Sequence, residues 1–174
     1  VFGAMYLPGV KALVQGDTPM LDSEIPAANG VATARGLARM YGALANGGSV
    51  DGTQFLSSET TAALVGRPSL RLDHGMVMPL SFHLGYHGLP LPGVLPGFGH
   101  VGLGGSLGWA DPDSGLSFAY VHNRLLTPLV VADQAGFVAT AALIRRGAMQ
   151  ARKNGFQRVR EFGAPFDNLA ADAV

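Results

Sequence analysis

Residues 98–121 constrain this chain more than any other stretch. Asp111-Pro112-Asp113-Ser114-Gly115 is turn chemistry: proline fixes φ, aspartate and serine bond their own backbone, and glycine accepts positive φ. After it, Leu116, Phe118 and Tyr120 alternate with Ser117, Ala119 and Val121, the period of a strand buried on at least one face. Before it, residues 98–110 carry glycine at positions 99, 102, 104, 105 and 108. Glycine inside a strand marks a bulge or a place where a ligand or another backbone comes close. The stretch therefore reads as two strands joined by a turn, with His100 and Gly102 at the mouth.

Around this hairpin the chain offers helices upstream and one downstream. Ala34, Leu37, Ala38, Tyr41, Leu44 and Ala45 follow helical spacing over residues 31–46, with Thr33 as the N-cap and Asn46-Gly47-Gly48 as the stop. Arg35 and Arg39 lie on its other flank as solvated charges, or with one of them anchoring a loop near a site. Residues 50–56 hold a tight turn, and Ser57-Ser58-Glu59 opens a second helix that runs to about Val65. Residues 67–79 read as loop. Residues 80–87 read as one strand, with Leu80, Phe82, Leu84 and Tyr86 on one face and Ser81, His83, Gly85 and His87 on the other. Three prolines and three glycines make 88–97 a loop. Pro128, capped by Thr127, starts a helix with Phe137, Ala141, Ile144 and Ala148 in one stripe to about Arg152. Residues 1–28 are irregular, with a short helix around residues 10–14, and 156–174 form a weakly ordered tail. The expected fold class is α/β in the α+β sense, an antiparallel sheet flanked by helices.

The His100-Val101-Gly102 triplet, the glycine-rich run after it, Gly108-Trp109-Ala110-Asp111-Pro112 and the strand over 115–121 resemble the third motif of the serine β-lactamase-like superfamily. That superfamily includes class C β-lactamases, penicillin-binding proteins and family VIII-type esterases. In the β-lactamases this motif is Lys-Thr-Gly; in many esterase-type members it is His-x-Gly, the form found here. Residues 25–41 are similar to the helix entry preceding the motif in bacterial, often actinobacterial, members. The resemblance implies the C-terminal portion of the β-lactamase/transpeptidase-like fold. It divides the chain into a connection over 1–30, the fold's C-terminal part over 31–152 and a tail over 153–174.

The resemblance also implies acyl transfer through a serine ester. His100 would stand in place of the motif's lysine, Gly102 would let the strand approach substrate, and the Leu103 N–H would be one oxyanion donor. The family's nucleophile and base, Ser-x-x-Lys, are absent: no serine is followed three positions on by lysine, and the chain has only Lys11 and Lys153. The second motif, Tyr-x-Asn or Ser-x-Asn, is missing too. Both belong to the N-terminal half of family members. The expectation is a piece of a longer serine hydrolase, inactive alone, whose partners are that missing half and a small acyl substrate, ester or amide. A first residue that is not methionine points the same way.

Two other chemistries are on offer. Gly104-Gly105-Ser106-Leu107-Gly108 matches the nucleophile elbow, with Asp111 or Asp133 and His122 as partners, but an elbow needs a strand before and a helix after, and here a turn and a strand follow. His74, His83 and His87, with Asp73, invite a metal, yet no carboxylate run completes a site; no cofactor is called for. A non-catalytic binding or scaffold domain of the same fold is the alternative from another class.

Composition narrows the field further. Twelve basic and twelve acidic residues cancel, which favours no nucleic-acid partner. Only 14% of residues are charged and 48% are hydrophobic, so part of the surface is expected to lie against something else. There is no cysteine, hence no disulfide, and no apolar run reaches the roughly 18 residues of a membrane span. Compartment is left open.

Overall fold

The computed structural model describes residues 22–26, 29–65, 71–74, 78–89, 93–102, 105–122 and 130–155. The expectations for a helix at 10–14, for the caps at Thr127 and Pro128 and for the tail at 156–174 lie outside these residues, as does Leu103.

The first helix, α1, spans Ala34–Ala45. Thr33 caps it through a hydrogen bond from the Gly36 N–H to Oγ1 at 3.0 Å. At the other end Gly48, at φ 86°, donates to Ala43 O at 2.8 Å. A small hairpin follows, β1 (Ser49–Val50) and β2 (Thr53–Gln54), turned by Asp51 and Gly52 at φ 50° and 77°. Positive φ at both central residues is the mark of a type I′ turn, and Asp-Gly is a preferred sequence for it. Arg39 pairs with Asp51 there, both well exposed. Helix α2, Ser58–Leu64, is capped by Ser57.

The main sheet is a six-stranded antiparallel meander: β3 (Arg71–Asp73), β4 (Met78–His83), β5 (Tyr86–Gly88), β6 (Phe98–Val101), β7 (Leu107–Asp111) and β8 (Leu116–Tyr120), each hydrogen-bonded to the next in sequence. Helix α3, Val130–Lys153, closes the described chain. The turn at 111–115, the strand after it and the three helices stand as expected, but the arm before the turn is two antiparallel strands, β6 and β7, rather than one, because the chain turns back between Gly102 and Ser106.

Two further expectations are corrected. The 67–79 stretch is not all loop, because β3 pairs with the first half of β4; three residues are too few to show a period. Residues 80–87 are not one strand but a hairpin. Leu84 and Gly85 turn at φ 48° and 86°, so His83 pairs with Tyr86 and Phe82 with His87. Directly opposed residues share a face, so His83 and His87 lie on opposite faces, as do Phe82 and Tyr86. The alternating pattern runs through the turn by coincidence, and leucine carries no turn signal.

Leu84 is 62% exposed and gains no packing to offset its left-handed backbone, a conformation costing roughly 1–2 kcal/mol for such a residue. Leu84→Asn is therefore expected to stabilise the chain by about 1 kcal/mol. Urea unfolding at constant slope checks it.

The core lies on both sides of β7, whose five residues are all buried. On one side Tyr41, Leu44 and Ala45 of α1 pack against Phe98 and Ala110. On the other, Ala141 of α3 packs against Leu95, Leu107 and Trp109. The glycines allow these approaches. A Cβ on Gly108 would lie 1.9 Å from Tyr41 Cε2, and one on Gly99 would lie 2.1 Å from Gly108 O. What these two positions admit is a helix side chain and a neighbouring strand. Trp109 donates its indole N–H to Pro96 O at 2.8 Å. Asp111, also buried, accepts from Arg145 Nε at 2.5 Å and from the Ser114 hydroxyl, while Arg152 donates to Ser114 O. Asn46 donates to Gly42 O at 2.7 Å and to Gly115 O at 3.2 Å, holding the end of α1 to the β7–β8 turn.

Candidate active site

Strand β6 presents His100. Its backbone is held on the β7 side by the register His100↔Gly108, flanked by Gly99↔Trp109 and Val101↔Leu107. Past the strand, the Gly102 N–H donates to Ser106 O at 2.8 Å, and the Gly105 N–H to Gly102 O at 2.9 Å. Gly102 is not in the left-handed region, and among the described residues a Cβ there would meet only Ser106 O, at 3.3 Å. The imidazole of His100 is exposed. It stands edge-on to His87, ring centroids 5.4 Å apart, and 6.4 Å from the ring of Phe82.

The alternation over residues 80–87 places His87 with Ser81 and His83 on the polar face of one strand. His87 is instead buried, 6% exposed, and packs edge-on to Trp109 and Phe82. Its Nε2 accepts the Val101 N–H at 3.0 Å, so the proton sits on Nδ1, 3.2 Å from Gly88 O. Burial lowers its pKa below the ordinary 6.5; the Gly88 carbonyl works against this and His100 adds to it. Sequence offered no signal for this residue beyond its identity. Tyr41, visible only as one of an apolar stripe, sits beneath the same strand. Burial and neighbouring Tyr86 push its hydroxyl up to about 12, against the pull of the His100 backbone.

A histidine buried neutral makes stability depend on pH. The unfolded imidazole protonates near 6.5, the folded one only at lower pH. The stability tied to neutral His87 is thus fully present above 6.5 and is lost as pH falls through the folded value. Melting temperatures are expected to drop between pH 7.5 and 5, and His87→Gln should flatten that part of the profile. A profile identical in the variant would refute this.

The rival chemistries do not assemble. Ser106 precedes β7 rather than a helix, Asp111 is engaged by Arg145 and Ser114, and His122 lies with Tyr120 and Phe137 in an aromatic cluster. Asp133 has no described side chain. Among the described residues no three His, Asp or Glu gather as metal ligands, and His83 Nε2 is 2.6 Å from Ala63 O. A cavity of about 260 Å³ opens beside Leu64, Ser81, His83, His87, Leu95 and Pro112, and His100 and Gly102 do not line it.

The sequence profile described as Beta-lactamase matches residues 3–143. The chain belongs to the beta-lactamase family. It is 60% identical over 173 residues to "Esterase/beta-lactamase LipL" of Mycobacterium tuberculosis (strain ATCC 25618 / H37Rv), covering 99% of this chain and 40% of that protein. A crystal structure of a family VIII carboxylesterase superposes with a TM-score of 0.62 at 31% identity, over 76% of this chain and 37% of the other. A penicillin-binding protein homologue from Caulobacter crescentus gives a TM-score of 0.49 at 33% identity, over 62% of this chain and 32% of the other. This beta-lactamase-family chain therefore spans about 40% of the length of the curated relative it matches. Its mixed α/β fold with an antiparallel sheet is shared with the carboxylesterase structure. No helix among the described residues is long and apolar enough to cross a membrane.

Proposed function

We propose that this chain is the C-terminal part of a serine hydrolase, esterase-type, that works by acyl transfer through a serine ester. The observation that carries the reading is the exposed His100 of a His-x-Gly triplet, displayed at the end of a strand whose backbone is tied on both sides. An upstream segment would supply Ser-x-x-Lys. The serine oxygen attacks the acyl carbonyl, the lysine takes its proton, the alcohol leaves, and water then hydrolyses the ester. His100 donates to substrate or to the base, Gly102 gives substrate room beside the strand, and the Leu103 N–H supports the oxyanion.

The test uses the protein extended through the Ser-x-x-Lys segment. It is expected to hydrolyse p-nitrophenyl butyrate and to take a fluorophosphonate on that serine, whereas the 174-residue chain does neither. His100→Ala is expected to lower kcat/KM by about 100-fold, the scale of one lost general acid–base or oxyanion partner. An adduct on Ser106 in the 174-residue chain, or full activity in His100→Ala, would sink the reading. Failure of the extended protein to hydrolyse any acyl ester would leave a binding domain of the same fold.

A further inference from the structure

We infer that His87 is a positioning residue for the His100-Val101-Gly102 segment, holding it by a side-chain bond where the sheet's own pairing stops. This rests on the reading of that segment as the substrate-facing motif.

The β5–β6 ladder consists of one register pair, His87↔Gly99. Two residues further along β6, the Val101 N–H faces the same neighbour, but no residue of β5 pairs with it. Left unpaired in this part-buried place, the N–H would cost up to about 1–3 kcal/mol. The His87 imidazole fills the position, accepting that N–H through Nε2 at 3.0 Å. The ring is not free to drift. Nδ1–H is held by Gly88 O at 3.2 Å, within His87's own strand. Phe82 and Trp109 close on it from either side at 5.5 and 5.9 Å. The next N–H, that of Gly102, is taken by Ser106 O. Two successive amides at the motif are thus pinned from opposite directions, one by a side chain and one by the following turn.

Pinning matters because acyl-transfer groups act only when held in place beforehand. A displacement of about 1 Å costs on the order of 100-fold in rate. His87 does not need to touch substrate to have this effect. Releasing it frees the backbone between His100 and Gly102, and both would lose their aim together.

The experiment compares three variants in the protein extended through its Ser-x-x-Lys segment. His87→Phe keeps an aromatic ring without an acceptor. His87→Asn keeps a donor near Gly88 but is too short to reach Val101. His87→Gln carries Oε1 near the place of Nε2. Steady-state hydrolysis of p-nitrophenyl butyrate and exchange of the Val101 amide are measured for each. The Phe and Asn variants are expected to lose about 10- to 100-fold in kcat, with KM changed by less than about 3-fold, and to exchange the Val101 amide at least about 10-fold faster. The Gln variant is expected to recover most of both. Equal losses in all three, a loss in KM alone, or wild-type kcat in the Asn variant would overturn the inference.

A parallel His100→Ala separates the two claims. If it leaves hydrolysis intact, the motif reading fails whatever His87 does. If it abolishes hydrolysis while the Phe and Asn variants stay active, the inference alone fails. If no ester is hydrolysed at all, the Val101 amide decides: unchanged exchange in the Asn variant overturns the tether, and accelerated exchange with recovery in Gln upholds it.

Discussion

Arg145→Met is expected to destabilise the chain by about 3–5 kcal/mol, the cost of leaving a buried charge without its partner. The asymmetry of the pair sets this size. Asp111 is 4% exposed at the side chain and Arg145 26%, so the carboxylate has no route to water whereas the guanidinium does. Without Arg145, Asp111 keeps only the Ser114 hydroxyl, and its Oδ1 already has no hydrogen-bond partner among the described residues. Asp111→Asn should cost less, since Arg145 can then turn outward. The double variant Asp111→Leu with Arg145→Met should recover much of the loss, because a buried pair replaced by apolar side chains is often close to neutral. Urea denaturation of these variants, with Asp111→Leu alone added to complete the cycle, reads the coupling. Equal costs for Arg145→Met and Asp111→Asn would mean that the pair is not buried as unequally as its exposure indicates.

The second large effect is at Gly108. Alanine there puts a methyl 1.9 Å from Tyr41 Cε2 and 2.6 Å from Cδ2 and Cζ, inside any permissible contact. Tyr41 is 5% exposed and packed among Leu44, Phe98 and Ala110, so the ring cannot step aside without moving α1. Gly108→Ala is expected to cost about 3 kcal/mol, the upper end of ordinary overpacking. Adding Tyr41→Leu should return part of that loss, and a coupling near zero in the double variant would refute the contact. Both changes act on stability, so a melting curve reads them without an assay of activity.

Much of this was visible in the chain itself. Thr33 and Ser57 announce their helices because a capping hydroxyl acts within three residues. Asp111-Pro112-Asp113-Ser114-Gly115 and Asp51-Gly52 announce their turns for the same reason. His100 and Gly102 stand out through the His-x-Gly resemblance. What sequence concealed depends on distant partners. Nothing near Asp111 says that Arg145 will answer it across 34 positions. His87 looks like any alternating polar residue until the β5–β6 ladder is seen to stop beside it. The Leu84 turn was hidden differently: the surrounding sheet holds a leucine in a conformation its own preferences oppose, so local propensity pointed the wrong way.

Strand β7 has one more consequence. Its residues alternate in bulk rather than polarity: Leu107 and Trp109 fill one core, and Gly108 and Ala110 leave room for the other. A slip of one residue along either neighbour would invert every side chain. The indole would then collide with α1, while glycine and alanine would leave a void beneath α3. In most sheets a slipped strand is rejected because polar groups become buried. Here a strand slipped over Leu107–Ala110 would remain apolar and still be rejected, on volume, by both helices at once, and Asp111 would lose Arg145 as well. The strand thus excludes its own competing alignments, and the His-x-Gly triplet paired to it inherits a single address.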